Sequence, residues 1–430
     1  MTHQEIRDLL YSEVKPALGC TEPIAVALAT ANCCETLRER GFQVENIKVE
    51  ISANILKNGL GVGIPGTGMV GLDIAIALAC VCGDSSLGLE VLKGFNAASV
   101  TEAKKMVEER LIKVELAKVP DKLYVKAQAY GGGHIAYTIL KGSHDSIVER
   151  GFDNTAIFSA DQGAEDINIQ ANTQSTYDLT VKSIFEFIQE MDLSLIEDLM
   201  IQSVELNSAL VKEGLTGKYG LKVGKTLLQD DNKCVYGENY LIYAMAHTAA
   251  ACDARMDGCT LSAMSNSGSG NQGITATVPV ISIAEQTGST HEELMRALTL
   301  SHLIAIHIKH YLGKLSALCG CVVASTGAAC GIVYLRKGDY KKICYAIKNM
   351  MGNITGMLCD GAKVGCSLKV ASGVSSALQS AVLALEEIST SATDGIIEDD
   401  IEKTIANIGS IGSIGMQSTD DMILKIMTNK

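Results

Sequence analysis

In Glu45-Asn46-Ile47-Lys48-Val49-Glu50-Ile51 the apolar side chains Ile47, Val49 and Ile51 recur at every second position. Such alternation turns one face of an extended chain inward and the other outward, which predicts a half-buried β-strand. Parts of 111–117, 123–130 and 134–140 repeat the pattern, and 72–82 and 97–109 among them read at helical spacing. Upstream, 3–13 and 22–40 read as helices separated by the break Pro16-Ala17-Leu18-Gly19-Cys20-Thr21-Glu22-Pro23. Cys20 or Thr21 suits the N-cap there, and Pro23 the first turn, where a missing N–H costs nothing. From about residue 175 period two fades. Segments 176–191, 194–212, 238–256, 291–312, 318–335, 340–351, 367–387 and 399–407 all read at helical period. The expected fold class is therefore α+β: a large all-helical domain (173–430), with a smaller sheet-containing α+β domain (41–172) inserted near the N-terminus. N-terminal helices (1–40) are expected to pack on the helical domain and carry Cys20.

The 430 residues have a net charge of −13 and no block of like charge, which argues against nucleic acid and anionic membrane as partners. Met-Thr-His-Gln-Glu at the start lacks a basic segment followed by an apolar run, so no secretory signal is visible. The 14 cysteines are thus expected reduced in a cytoplasm, as ligands, nucleophiles or core residues rather than disulfides. Mean hydropathy is high at +0.19. Its richest stretch, Val62 to Cys82, contains Pro65, Asp73 and several glycines, which suits a helix buried on every side better than a bilayer span. There is no Trp, so the core must be built from Ala, Leu, Ile, Val and Met, and small residues at this density suit closely packed helices. The apolar composition also suits a surface buried between subunits of a homo-oligomer.

Cys359 and Cys366 bracket Cys359-Asp360-Gly361-Ala362-Lys363-Val364-Gly365-Cys366, and Cys319 stands upstream in Leu318-Cys319-Gly320-Cys321. Three thiolates with no obvious fourth suit a cube-shaped iron–sulfur cluster with one open iron, a Lewis acid for a leaving group. Zinc, or plain burial of small apolar thiols, accounts for the same spacing. Cys20, at a helix start, meets the positive end of the macrodipole, which favours a thiolate nucleophile or base; a buried Cys in a tight turn is the alternative. Glu22 beside it reads as a substrate contact or a first-turn carboxylate. In Ser265-Asn266-Ser267-Gly268-Ser269-Gly270-Asn271-Gln272-Gly273 a polar loop precedes an apolar run, and a helix starting near Gly273 would aim free N–H groups at a carboxylate. The run Gly59–Gly68 lacks a Gly-Lys-Ser/Thr ending and a βαβ context, so a nucleotide loop is disfavoured against packing or approach to a small ligand. His134, on a strand, and His302, His307 and His310, on one helical stretch, read as structural. No motif points to pyridoxal phosphate.

Taken together, Ala17-Leu18-Gly19-Cys20-Thr21-Glu22-Pro23, the 265–273 loop and Met357-Leu358-Cys359-Asp360-Gly361-Ala362-Lys363 resemble the L-cysteine desulfidase family, which includes bacterial proteins of the serine-dehydratase-like alpha-chain group. The likeness runs in order along essentially the whole chain. It implies an oxygen-sensitive 4Fe–4S lyase that converts L-cysteine to pyruvate, ammonia and sulfide without pyridoxal phosphate. The family's three cluster cysteines fall on Cys319, Cys359 and Cys366, leaving Cys321 and Cys330 outside the set, and its proposed base falls on Cys20. Related iron–sulfur L-serine dehydratases carry a serine-rich turn with a histidine where this chain has Gly19-Cys20-Thr21-Glu22, a departure that favours the desulfidase branch. On this resemblance the open iron takes the leaving group of a small amino-acid substrate, thiolate for cysteine or hydroxyl for serine, and Cys20 takes the α-proton. Asn266, Ser267, Ser269, Asn271 and Gln272 of the 265–273 loop hold the carboxylate, Glu22 faces the ammonium, and Thr21 is a further substrate contact. Elimination then yields aminoacrylate, whose imine hydrolyses to pyruvate and ammonia. L-serine dehydration by the same route is the near alternative. An iron–sulfur redox sensor, with Cys321 as a fourth ligand, and a metal-free binding protein with all these thiols in its core are the rivals from other classes.

Overall fold

The computed structural model describes residues 1–160, 178–313 and 315–429. Along the chain come α1 (His3–Glu13), β1 (Pro16–Leu18), α2 (Thr21–Glu39), β2 (Asn46–Ile51), α3 (Ala53–Gly59), α4 (Leu72–Cys82) and α5 (Ala97–Glu108). Then follow β3 (Ile112–Leu116), β4 (Tyr124–Gly131), β5 (His134–Lys141), β6 (Ile147–Phe152) and β7 (Thr155–Ser159). Next are α6 (Val181–Glu190), α7 (Glu197–Thr216), α8 (Val223–Leu227), α9 (Lys233–Tyr236), α10 (Tyr240–Met256), β8 (Ser262–Met264) and α11 (Gly270–Thr287). Last come α12 (His291–Leu312), α13 (Gly320–Leu335), α14 (Tyr340–Ile354), α15 (Cys366–Leu385), α16 (Ile401–Ser410) and α17 (Gln417–Thr428). The fold class is α+β, as the two periodicities predict. Residues 161–172 of the expected sheet domain, and the start of the helix expected at 176, lie outside the described residues.

The chain is organised in two units. The sheet unit comprises Met1, Glu22–Leu56 and Gly71–Leu179; the helical unit comprises Thr2–Thr21, Lys57–Val70 and Thr180–Lys430. In the first, six strands run in the order β3-β2-β4-β5-β6-β7. The β2–β3 pair is parallel and the others antiparallel. The alternation reads out directly: Ile47, Val49 and Ile51 on β2 and Val125, Ala127 and Ala129 on β4 are buried. His134 is a hairpin residue of this sheet, its Nδ1 2.6 Å from Asp153 Oδ2 and its ring stacked on Phe152.

These boundaries correct the ones composition predicts. The second N-terminal helix, expected to pack on the helical domain, belongs from Glu22 onward to the sheet unit, and only residues 2–21, with α1, β1 and Cys20, belong to the helical unit. Side-chain bonds explain the assignment: Thr138 Oγ1 on β5 donates to Asn32 Oδ1 at 2.9 Å, and Arg38 Nη2 donates to the Cys80 carbonyl of α4 at 2.6 Å. Residues 57–70, expected within the sheet domain, belong instead to the helical unit. Gly63 N donates to Met256 O at 3.0 Å and Gly66 N to Gly258 O at 3.1 Å. A Cβ on Gly63 would stand 2.5 Å from the Asp257 carbonyl carbon, so the glycine run serves backbone-to-backbone packing at the end of α10. Within Val62–Cys82 only Leu72–Cys82 is helical, and most of that helix is buried.

In the helical unit α13 is packed upon by α11, α12, α14 and α15, and α10 lies against α7, α11 and α15. Small residues permit the approach. A Cβ on Gly327 would fall 2.2 Å from Ser301 O, and one on Gly214 1.9 Å from Ala250 O. Here a methyl group is too large, which is why a core so poor in aromatics still closes. His302 is fully buried, and burial holds its imidazole down at about 4. His307 Nε2 lies 2.6 Å from Glu402 Oε2. Among the described residues α15 alone is long and apolar enough to cross a membrane, and half of its apolar window is buried in the protein.

Candidate active site

Antiparallel pairing of β1 with β8 brings the two chemically rich turns together, Pro16 opposite Met264 and Leu18 opposite Ser262. Beyond β1 the chain turns through Gly19 in the left-handed region (φ 71) to Cys20, buried just ahead of α2. Beyond β8 runs the 265–273 loop. Ser265 N and Oγ both donate to Lys15 O, Ser267 N donates to Glu13 O, and Thr21 Oγ1 donates to Gly268 O at 2.6 Å. Cys20 is thus clamped from both sides to the polar loop.

Inside the loop most polar groups hold the loop itself. Asn266 Nδ2 donates to His302 Nδ1 (3.0 Å) and His302 O (3.2 Å), while Asn266 Oδ1 accepts from Ser267 Oγ and Gln272 Nε2. With Nδ1 accepting, the His302 proton sits on Nε2 and points at Thr277 Oγ1, 3.1 Å away. Ser267 occupies the left-handed region (φ 49), a cost for a non-glycine residue that is found mostly where function requires the geometry. Ser269 N-caps α11, its Oγ accepting from Gln272 N. The helix starts at Gly270, three residues before the expected Gly273, and a Cβ at Gly273 would lie 1.9 Å from Met264 O. Glu22 belongs to the sheet unit, where its Oε1 lies 3.9 Å from His144 Nε2.

Two of the three cysteines stand at helix starts, and Cys359 lies in the segment between α14 and α15. Leu318 and Leu358 form an antiparallel bridge, Cys319 N donates to Met357 O at 2.9 Å and Cys359 N to Ala317 O at 2.6 Å. Cys319 caps α13 and Cys366 is the first residue of α15, its Sγ bonding Gly361 O. Burial pushes the Cys319 thiol well up, and the neighbouring Cys359, Cys321 and Cys366 push it further; burial and Cys359 raise Cys366. The connecting segment is held by Asp360, which accepts from Lys363 and Lys369. Burial alone would raise that carboxyl, but the two ammonium bonds outweigh it and hold it at about 2. Lys57, buried, pairs with Asp420 Oδ1 at 2.5 Å and reaches the Cys359 carbonyl at 3.4 Å.

Among the described residues no group of three or more His, Cys, Asp or Glu converges as a single ion requires. The donor set fits a cluster better. Burial and neighbouring cysteines raise the Cys319 and Cys366 thiols, and backbone bonds join the Cys319 and Cys359 segments, a set of soft donors of the kind a cluster takes. Cys319 and Cys366 stand at the positive ends of α13 and α15, which favours their thiolate forms once ligated. Cys321 turns elsewhere: its Sγ donates to Lys369 O, and a Cβ on Gly373 would meet it at 2.4 Å, so it fills the α13–α15 contact. Cys330 lies further along α13, fully buried.

Two residues escaped the sequence reading. Arg255, at the end of α10 and 3% exposed, donates from Nη2 to Gly19 O (2.7 Å) and from Nη1 to Asn271 Oδ1 (2.9 Å), joining the Cys20 turn to the loop. Cys252, fully buried one helical turn earlier, is raised by burial and next by Cys366. Two charged residues, Asp253 and Arg255, closing the alanine-rich helix 240–256 were the available signal. Gln272 links the loop to the cysteines: its Oε1 is 3.1 Å from the place a Cβ on Gly320 would take, next to Cys319.

Residues 86–425 match the profile of the serine dehydratase alpha chain. The chain is 47% identical to a UPF0597 protein of Parabacteroides distasonis over 99% of its length and 98% of that relative. It is 44% identical to one of Bacteroides fragilis over 99% and 98% of the two chains. With one of Oleidesulfovibrio alaskensis it shares 46% identity over 98% and 97%. The match runs from before α5 into α17 and so covers Cys319, Cys359, Cys366, the 265–273 loop and Arg255: the chain belongs to the serine dehydratase alpha-chain family.

Proposed function

We propose that the chain is a pyridoxal-phosphate-independent α,β-elimination lyase acting on a small β-substituted α-amino acid, L-cysteine first and L-serine second. The observation that carries this reading is the continuity of the site within one unit. Cys20 is clamped to the 265–273 loop through Thr21 and Arg255, and Gln272 of that loop abuts the turn bearing Cys319. A 4Fe–4S cluster held by Cys319, Cys359 and Cys366 would supply an open iron as Lewis acid for the departing thiolate or hydroxide. The chain's own residues do the rest. Cys20 Sγ, ahead of α2, is the group that takes the α-proton, and the helix start favours its thiolate form. The Asn266 hub keeps the loop in its left-handed turn, so that α11 presents its N-terminus to a carboxylate. Burial of Cys20 and of the loop excludes water from the carbanion side. A soft donor set prefers a thiolate leaving group, which supports cysteine; the family's description supports serine.

The test is anaerobic turnover of the iron-reconstituted chain with L-cysteine and L-serine in parallel, reading pyruvate and sulfide. Sulfide and pyruvate from cysteine support the desulfidase reading. Pyruvate from serine alone moves the enzyme to dehydration. Neither product with an intact cluster overturns the lyase and leaves the redox sensor.

A further inference from the structure

Two buried polar atoms of this site have no hydrogen-bond partner among the described residues: Arg255 Nε, a donor, and Gln272 Oε1, an acceptor. Their residues are 3% and 1% exposed. Arg255 is permanently charged, and its two bonds go to neutral oxygens, a backbone carbonyl and an amide. No acidic side chain pairs with it among the described residues. A buried cation in that state requires an anion.

Glycine fixes the direction in which Arg255 Nε faces. A Cβ on Gly270 would lie 2.2 Å from Arg255 Nε, so the guanidinium edge faces the first residue of α11. In that first turn Gln272 N is taken by Ser269 Oγ and Gly273 N by Ser269 O. The N–H groups of Gly270 and Asn271, in the same first turn, have no carbonyl of their own helix to donate to. Arg255 Nε and these two N–H groups make three donors for an anion, and Gln272 adds one acceptor facing Gly320 beside Cys319. We infer that Arg255, with the N-terminus of α11, binds the α-carboxylate of a free amino acid, and that Gln272 Oε1 accepts from its α-ammonium. The site is thereby specific for zwitterions, with the β-substituent turned toward the cysteines. This inference rests on the lyase reading for its choice of substrate class. It gives Gln272, in place of Glu22, the ammonium.

The experiment uses the full chain, cluster-reconstituted, and ligands with no leaving group. Dissociation constants of L-alanine, L-alaninamide (no carboxylate) and propionate (no ammonium) are measured by saturation-transfer NMR. L-Alanine should bind at least about tenfold more tightly than either, the range for a lost charge-assisted hydrogen bond. Arg255→Gln should erase the preference over alaninamide, with Arg255→Lys retaining part of it. Gln272→Leu should erase the preference over propionate. Equal affinity for the three ligands in the wild-type chain, which needs no variant to fold, overturns the inference. So does an Arg255→Gln variant that keeps the carboxylate preference. Preference for L-alanine without turnover of cysteine or serine upholds the binding pair and sinks the lyase; turnover without preference does the reverse.

Discussion

Replacing Lys57 by Met probes how the cysteine segment is held. The ammonium is 2% exposed, sits 2.5 Å from Asp420 Oδ1, and also donates to the Cys359 carbonyl. Removing one partner of a buried ion pair costs about 3–5 kcal/mol, because the other charge stays desolvated. Asp420 is 15% exposed, so water relieves part of that, and about 2–4 kcal/mol is expected for Lys57→Met. Asp420→Leu should cost more, since it strands the more deeply buried charge. The double variant Lys57→Met/Asp420→Leu removes both charges and should return to within about 1–2 kcal/mol of wild type. The assay is amide hydrogen exchange by mass spectrometry over α17 and residues 357–361. A local loss of about 2–4 kcal/mol there speeds exchange by roughly thirty- to seven-hundredfold. If the double variant exchanges as fast as Lys57→Met, or if Asp420→Leu is harmless, the pair does not hold this segment and the reasoning fails.

Cys20→Ala should abolish pyruvate formation while leaving the visible absorbance of the reconstituted cluster; retained turnover would remove Cys20 as the base. His302 is held at about 4 by burial, against 6.5 unperturbed, so between those values the unfolded chain binds a proton the folded one refuses. Stability from this residue is therefore complete above about pH 6.5 and falls by roughly 3 kcal/mol as pH drops to 4. Urea midpoints across that window should show the loss, and His302→Gln should flatten it. Asp360, held at about 2, contributes in the same direction, with its share lost only as pH falls from about 4 toward 2. Asp360→Asn should remove that lower limb from amide exchange at 359–366 in the metal-free protein. Gly273→Ala must push a methyl group against Met264 O from 1.9 Å. It should lower the melting temperature and weaken L-alanine binding together, and an unaffected variant would show that the loop start is loose.

Most elements were legible because their burial is periodic. Ile47, Val49 and Ile51 announce β2, and α12 spans the expected residues 291–312. β6 and β7 were not expected, for the same reason inverted: β7 is exposed along its whole length and β6 buries only Gly151, so no alternation is left to read. α17, with no buried residue, is silent in the same way. Short paired segments such as β1 and β8 are held by backbone bonds, which leave no trace in side-chain pattern.

Sequence by itself determined the residue chemistry: which thiols exist, the polar loop at 265–273, the cysteine-bearing turn ahead of α2, and the helical or extended state of the long segments. Those are local properties, set by composition, capping and period. Tertiary structure alone decided that α2 belongs with the sheet and the glycine run 57–70 with the helices, since both depend on cross-chain hydrogen bonds and on glycines whose missing side chains admit a distant backbone. It alone brought Arg255 to the Gly19 carbonyl, 236 residues away along the chain, and left its Nε against Gly270 with no hydrogen-bond partner among the described residues. A charge has no period, and whether it is solvated or stranded is settled only when the surrounding helices close over it.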